Sequence, residues 1–202
     1  MLRATTVQFA FDEGKMLNRR SVMFGLTAAI LAPQVALAGN AKNKFVLDAK
    51  YRPQLVNFPT IYATGSVVVD PKNRFLYLIE APGVARRYGV GVGRAGLAWS
   101  GTAEVARKAK WPSWTPTRNM IKRAPEKYGK YAGGVPGGPN NPLGARALYL
   151  YRNGLDTYYR IHGTTEPWTI GRAVSNGCIR MLNEHVADLY ERVPIGTTVV
   201  VL

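Results

Sequence analysis

Cysteine and histidine are scarce in this chain of 202 residues, which has one cysteine, Cys178, and two histidines, His162 and His185. A lone cysteine has no partner for an intramolecular disulfide, so it must pair between chains, stay buried and inert, or act as a reactive thiol. One cysteine and two histidines without further ligand spacing do not make a zinc site. We therefore expect no metal and no other cofactor.

Acidic residues are also few: 12 Asp and Glu stand against 27 Lys and Arg, which gives a formal net charge of +15. Such a protein is attracted to nucleic acid, an anionic membrane surface or an anionic cell wall, although a basic surface can also serve solubility alone. The sequence has no zinc-finger spacing and no basic helix with heptads, so no nucleic-acid partner is expected. With 47% hydrophobic and 19% charged residues, the chain is typical of one globular domain.

No apolar run is long enough for a stable membrane span. The longest, residues 22–37, has about 16 residues and contains a proline, whereas a spanning helix needs about 20. A basic pair ("RR", residues 19–20) precedes it and an A-x-A motif ("ALA", residues 36–38) ends it, as in a cleavable export signal. We therefore predict a signal peptide over residues 1–38, with Met16 as the better start, and no stable membrane insertion after cleavage. The basic pair fits the general and the twin-arginine export routes.

Export narrows the choice of partner and location. An exported protein seldom meets nucleic acid, so a cell-wall polymer or a membrane surface is the better anionic partner. The expected location is the periplasm or the cell wall.

The chain after the signal has mostly β-patterns. Residues 39–60 show little periodicity and form a predicted lead-in segment before a domain over residues 61–202. The first runs of this domain are short, rich in β-branched and aromatic residues and separated by turn sequences, which predicts a three-stranded meander. These runs are residues 64–70, 74–80 and 84–93.

Residues 94–143 are dense in Pro, Gly and Trp and are predicted to form a long ordered loop that binds or covers a ligand. Trp111 and Trp114 gain more by packing over a cleft than by lying in solvent. The alternative is a mobile surface insertion without such a role.

Strand patterns return at residues 147–151 and 158–163, and the last nine residues form another. One helix is predicted over residues 183–193, with Asn183 as its N-cap. His185 lies in the first turn of this helix, where a solvated side chain is expected.

His162 ends one of the predicted strands, and Cys178 follows in a turn just before the helix. A thiol becomes a nucleophile as the thiolate, and a nearby imidazole is the usual base. Gly177 allows a tight turn whose backbone N–H groups can point at a developing oxyanion. The alternative is a small buried thiol in the core without a chemical role.

Two further residues extend this candidate site. The carbonyl of Gly163 can accept the second imidazole N–H of His162 and fix its tautomer. Arg180 can hold a carboxylate in a bidentate manner, or it can form a structural ion pair with Glu184 or Asp188. No acidic residue is close enough in sequence to be the obvious group that orients the histidine.

Together these motifs resemble the L,D-transpeptidase catalytic domain, the YkuD-like ErfK/YbiS group. The similarity is carried by "IHGT…P..IG…S.GCIRM.N" around the cysteine, and by the upstream segments "GGPNNPLGARALYL" and "WPSWTPT". It covers roughly residues 60–202, nearly all of the chain after the signal. The resemblance implies a mostly β domain, a β-sandwich or closed mixed sheet with a short helix after the active-site turn.

The resemblance also implies roles for individual residues. Cys178 matches the family's nucleophile, His162 its general base, and Gly163 the residue whose carbonyl orients that histidine. No metal or nucleotide is needed for this chemistry.

The other matched positions are expected to support the oxyanion or bind substrate. They are Ser175, Gly177 and Arg180 in the active-site turn, together with Trp114 in the loop that would cover the substrate. Family members commonly have histidine directly after the serine ("SHGC"), where this chain has Asn176. The substitution leaves nucleophile and base intact and bears on acceptor preference and oxyanion support.

The activity implied is acyl transfer on peptidoglycan stem peptides, with a role in cell-wall biogenesis and cell shape. Cys178 attacks the carbonyl of the third stem residue, a diamino acid, and releases the terminal D-alanine; an amine then resolves the thioester. An amine from a second stem gives a 3,3 cross-link, and an amine from a protein tethers that protein to the wall. The alternatives are a hydrolase on the same scaffold, which trims stems or releases tethered proteins, and a peptidoglycan-binding module without turnover.

Overall fold

Two sheets of unequal size organise residues 45–202, the part of the chain that the computed structural model describes. The predicted signal peptide and the start at Met16 lie outside the described residues. The strands of the two sheets are β1 (Gln54–Asn57), β2 (Val67–Asp70), β3 (Phe75–Ala81), β4 (Val84–Gly89), β5 (Val92–Gly93), β6 (Gly101–Lys110), β7 (Arg146–Arg152), β8 (Leu155–His162), β9 (Ala173–Ser175), β10 (Ile179–Arg180) and β11 (Thr198–Val201).

The larger sheet has nine strands in the order β1-β4-β3-β2-β11-β6-β7-β8-β10, and β5 pairs with β9 in the smaller one. The pairs β2–β11, β8–β10 and β5–β9 are parallel, and the other neighbours are antiparallel. Two hydrogen bonds between Gly91 and Arg180 tie β10 back to the chain just after β4. The predicted mostly β, mixed sheet is therefore confirmed.

Helical segments are short and lie between the strands. The α-helices are α1 (Arg118–Arg123), α2 (Pro125–Tyr128) and α3 (Asn183–Arg192), and 3-10 turns cover Ala49–Tyr51, Gly129–Tyr131 and Pro167–Thr169. None of the helices within residues 45–202 is long and apolar enough to cross a membrane.

The predicted meander is present as β2, β3 and β4. Its valine run is buried on both faces: Val67 and Val69 belong to the main core, whereas Val68 belongs to a smaller cluster on the other face. Helix α3 contributes Val186 and Leu189 to the main core, which anchors the helix beside the strands that carry the candidate site.

Four strands lie where none was predicted: β1, β6, β9 and β10. β6 occupies part of the segment predicted to be a loop and pairs with both β7 and β11. Only Ala103 and Val105 of its ten residues are buried, so its Lys- and Arg-rich sequence has little β-pattern, and pairing on both sides decides its structure. β1 lies in the predicted lead-in segment and pairs with β4 as an exposed edge strand.

Two predictions at the start of α3 are wrong. The N-cap is Leu182, and the side chain of Asn183 instead accepts backbone N–H groups of Ala145 at 3.0 Å and Thr164 at 3.2 Å. His185 is buried rather than solvated, because it faces the sheet beside Tyr88.

Candidate active site

The parallel pairing of β10 with β8 brings Cys178 to His162. Ile179 lies beside Ile161 and Arg180 beside His162, so Cys178 lies beside Arg160. Side chains alternate along a strand, which places those of residues 178 and 162 on the same face. Both line one cleft of about 290 Å³.

His162 is held in one tautomer. Its Nδ1 lies 2.5 Å from the carbonyl oxygen of Gly163, which only accepts, so Nδ1 carries the proton and Nε2 has a free lone pair. The side chain is buried, and burial, helped by the nearby positive charge of Arg180, lowers the pKa of His162 to about 3. The imidazole is therefore neutral at physiological pH and able to accept a proton.

Cys178 is also neutral at rest. Burial raises the pKa of its thiol above the ordinary value, although the backbone N–H of Arg160 and the charges of Arg160 and Arg180 oppose this shift. Its Sγ donates to the carbonyl oxygen of Tyr158 at 3.8 Å. A neutral thiol beside a neutral imidazole needs proton transfer before or during nucleophilic attack.

The active-site turn is shaped by Ser175. Its hydroxyl donates to the Cys178 carbonyl at 2.6 Å and accepts the N–H of Gly177 at 3.1 Å. Gly177 has φ of 119°, and a Cβ there would clash with the ring of Tyr159, so the turn requires glycine. The N–H of Gly177 is engaged by Ser175, whereas that of Cys178 has no hydrogen-bond acceptor within residues 45–202.

Arg180 pairs with a carboxylate that was not considered from the sequence. Its Nη1 lies 2.6 Å from Oε2 of Glu166, and both side chains line the cleft with His162. The expected structural partners Glu184 and Asp188 lie on α3, and Asp188 binds other residues. The ion pair places a fixed positive charge near the imidazole.

Asn176 faces the helical segment that follows β6. Its amide donates to the hydroxyl of Tyr128 at 3.0 Å, and its oxygen accepts from Arg123 at 3.3 Å. Residue 176 therefore links the active-site turn to α1 and α2.

Comparison with known families identifies the family of this chain. The model of the YkuD family, described as the L,D-transpeptidase catalytic domain, matches residues 64–201. The chain belongs to this family.

Curated relatives and solved structures agree with the assignment to different degrees. "Probable L,D-transpeptidase YbiS" of Escherichia coli K12 is 35% identical over 151 residues, covering 73% of this chain and 47% of that protein. The chain thus spans about half the length of the curated relatives it matches. The Ldtfm–avibactam carbamoyl enzyme has a TM-score of 0.52 at 18% identity over 70% of this chain and 49% of its own, which shows a shared fold.

A crystal structure named "Probable carnitine operon oxidoreductase caia from Brucella melitensis" is 56% identical, with a TM-score of 0.53 over 77% of this chain and 96% of that one. The oxidoreductase activity in that name refers to the Brucella melitensis protein. The family of this chain rests on the family model and on the curated L,D-transpeptidases.

Aromatic residues from the segment after β6 form one wall of this L,D-transpeptidase cleft. Trp114 bridges to Val135 through the backbone, and its ring lies edge-on to those of Tyr128 and Tyr131. Trp111 is 46% exposed and does not line the cleft, contrary to the expectation. The two tyrosines were not identified from the sequence, although they lie in a Lys- and Tyr-rich run, "EKYGKY", inside the predicted covering loop.

A second cleft of about 300 Å³ also reaches Cys178. It shares Trp114, Met120 and Leu143 with the first, so these three side chains divide two approaches to one sulfur atom. Its other lining side chains were missed from the sequence because they are spread over three strands; they include Arg107, Tyr149, Tyr158 and Arg160.

Metal-ligand geometry is not found in the described part of the chain. Among residues 45–202, no three His, Cys, Asp or Glu side chains come together in a group that could hold a metal ion.

Proposed function

We propose that the protein is an exported cysteine L,D-transpeptidase that acts on peptidoglycan stem peptides through a thioester on Cys178. The observation that carries this proposal is the juxtaposition of Cys178 and His162 on one sheet face, with Gly163 fixing the tautomer that leaves Nε2 able to accept a proton. Family membership supports the chemistry.

Acylation begins with two neutral groups. His162 takes the thiol proton as Sγ attacks the carbonyl carbon of the diamino acid that precedes the terminal D-alanine. The C–N bond breaks, and the imidazolium gives its proton to the departing amine of D-alanine. A histidine whose pKa is lowered to about 3 is a weak base but returns this proton readily as an acid.

Negative charge develops on the substrate carbonyl oxygen during attack, and a hydrogen-bond donor is needed to stabilise it. The N–H of Cys178 is the group we assign to it, because the N–H of Gly177 is engaged by Ser175. Ser175 and Gly177 then act by holding the turn, while Asn176 holds the segment that carries Tyr128.

Transfer needs a second substrate at the same sulfur. The two clefts that meet at Cys178 allow a stem peptide to remain as thioester in one while an amine enters through the other. Attack by that amine forms the new C–N bond, breaks the C–S bond and returns a proton through His162 to the sulfur. A second stem gives a 3,3 cross-link, and a protein amine attaches that protein to the wall.

Location in the periplasm or at the wall is part of the same proposal. It is supported by the export-signal pattern of residues 1–38 and by a net charge of +15, which favours an anionic polymer.

Incubation of purified protein with tetrapeptide muropeptides tests the proposal. We expect tripeptide and cross-linked dimer from the wild type, neither from Cys178→Ala, and a loss of about 100-fold or more in rate from His162→Gln. His185→Gln is the matched control, since it changes the other buried histidine away from the cleft and should retain the rate. Tripeptide without dimer would identify a hydrolase, and binding to wall without turnover, unaffected by Cys178→Ala, would identify a binding module.

A further inference from the structure

A row of side chains crosses four strands and ends at the nucleophile. Arg107 lies directly opposite Tyr149, and Tyr149 lies directly opposite Arg160. Arg160 in turn lies beside Cys178, as the pairing of β8 with β10 requires. Residues directly opposite one another share a sheet face, so these four side chains form one continuous floor in the second cleft.

Two arginine side chains of this row stack on the ring of Tyr149. The guanidinium of Arg107 lies 3.4 Å from the ring centroid of Tyr149, and that of Arg160 lies 4.4 Å from it. Stacking on an aromatic face fixes the plane of a guanidinium and leaves its N–H edge free for a ligand.

The two arginines differ in their partners. Arg160 donates to both carboxylate oxygens of Asp156, at 2.7 and 2.8 Å. The side chain of Arg107 is exposed and forms no salt bridge or hydrogen bond with another residue of the described range 45–202. One carboxylate therefore faces two guanidinium groups, and the cleft keeps an unneutralised positive charge.

We propose that Arg107, stacked on Tyr149, binds a carboxylate of the acyl acceptor, the molecule whose amine resolves the Cys178 thioester. This inference rests on the proposed transferase function and assigns the second cleft to the acceptor. A guanidinium held flat presents two parallel N–H groups, which match a carboxylate in a bidentate manner.

The distances identify which acceptor carboxylate fits. Tyr149 lies two strand spacings from β10, so its ring and the Arg107 guanidinium above it are on the order of 10 Å from Cys178. A carboxylate on the same carbon as the attacking amine is too close to that amine to reach both positions. The terminal diamino acid of a tripeptide stem fits, because its side-chain amine and its C-terminal carboxylate are about 7 Å apart when extended.

The bond changes balance without another reagent. The acceptor amine attacks the thioester carbonyl carbon, a C–N bond forms and the C–S bond breaks. The amine gives one proton to His162, which passes it to the departing sulfur of Cys178. The carboxylate at Arg107 is not consumed and only positions the amine.

A pair of acceptors that differ only in this carboxylate tests the proposal. The wild type is first acylated with a tetrapeptide stem and then offered a tripeptide stem with the same diamino acid, either as the free acid or as its C-terminal amide. Cross-linked product is measured by liquid chromatography and mass spectrometry. We expect kcat/KM for the free acid to exceed that for the amide by about tenfold in the wild type.

Arg107→Gln should lower kcat/KM for the free acid about tenfold and leave the amide unchanged, so the preference is lost. Arg107→Lys should restore part of the preference for the free acid, since the ammonium keeps the charge but lacks the two parallel N–H groups of the guanidinium. Lys72→Gln removes the same charge from an exposed turn residue far along the sheet and should keep the preference. Because Arg107 is exposed, thermal unfolding should be nearly unchanged in both Arg107 variants.

The outcomes separate this inference from the proposed function. Normal acylation with an equal preference in the wild type and in Arg107→Gln would overturn the acceptor site alone. Slower acylation by the tetrapeptide in Arg107→Gln, with no change in acceptor preference, would place the site on the donor side and also overturn it. Failure of the wild type to acylate at all would overturn the transferase function and the acceptor site with it.

Discussion

The side-chain amide of Asn176 donates to the hydroxyl of Tyr128 over 3.0 Å, and this bond joins the turn that holds Cys178 to helix α2. Histidine is the residue that the family resemblance implies at position 176. Here the asparagine oxygen also accepts from Arg123, so one amide uses both of its ends to hold the segment that covers the cleft.

Removing either partner of this bond should loosen the covering segment. We expect Asn176→Ala and Tyr128→Phe each to speed amide hydrogen exchange within residues 118–131 and to slow cross-linking. The double variant should be no worse than Asn176→Ala, because the bond shared with Tyr128 is worth about 1 kcal/mol only once. Tyr128→Phe should have the smaller effect, since Asn176→Ala also removes the bond from Arg123. Additive losses in the cycle would show that the two residues act independently.

The rate at which iodoacetamide alkylates the Cys178 thiol should rise with pH as expected for a thiol of raised pKa. Burial raises the pKa of this thiol above its ordinary value of 9.0, so the rate should increase with pH and show its midpoint above about 9. Alkylation rates between pH 5 and 10, read by intact mass, measure this midpoint. A reactive plateau that extends below pH 6 and is lost in His162→Gln would instead indicate a resting thiolate–imidazolium pair.

Both histidines of the chain should make the fold less stable in mild acid. Burial lowers the pKa of His162 to about 3 and also lowers that of His185, below the 6.5 of an unfolded histidine. The unfolded chain therefore takes up protons first, and stability falls as the pH drops below about 6.5. Urea unfolding at pH 7.5 and 5.5 should show a loss of about 1 kcal/mol from His162, together with a further loss from His185.

His185→Gln supplies the control for this measurement. It should make the difference between pH 7.5 and 5.5 smaller, because only His162 then takes up a proton on unfolding. The pKa values of Asp156 and Asp188 are lowered by ion pairs and hydrogen bonds, so their effect on stability changes mainly below pH 4. The change in stability between pH 7.5 and 5.5 is therefore due to the histidines. Equal stability at both pH values would contradict the buried neutral state of the two imidazoles.

Asn183 should be as important for the site as for the helix that it begins. Its Oδ1 accepts the N–H groups of Ala145 and Thr164, which lie on either side of the strand pair that ends at His162. Asn183→Ala leaves both donors unsatisfied and should lower the unfolding free energy by about 1–3 kcal/mol, with a matching loss of activity. Asn183→Asp keeps the acceptor and should retain most of both, whereas equal effects of the two variants would exclude the acceptor role.

Much of the fold could be predicted because local patterns and tertiary pairing agree. The meander, the strands on either side of Asn153 and helix α3 all follow from alternating or helical apolar spacing. β6 could not be found this way, since its charged residues are exposed and its strand state depends on partners about 40 residues away in β7 and 90 away in β11.

Residues of the candidate site could be predicted where they lie within the segments that carry the family resemblance, including Trp114 upstream of the cysteine. Cys178, His162 and Gly163 were predicted because the proposed nucleophile, base and orienting carbonyl lie within one short stretch. The row through Arg107 depends on sheet register, and the pairing of Arg180 with Glu166 depends on the path of the loop after β8; no local pattern specifies either.

Intact-protein mass spectrometry after mixing with a tetrapeptide stem tests the central claim most directly. We predict a transient adduct on the wild type equal to the tripeptide acyl group, mapped to Cys178, absent from Cys178→Ala and formed far more slowly by His162→Gln. Stem cleavage by the wild type without any such adduct under rapid quench, or equal cleavage by Cys178→Ala, would contradict the thioester mechanism.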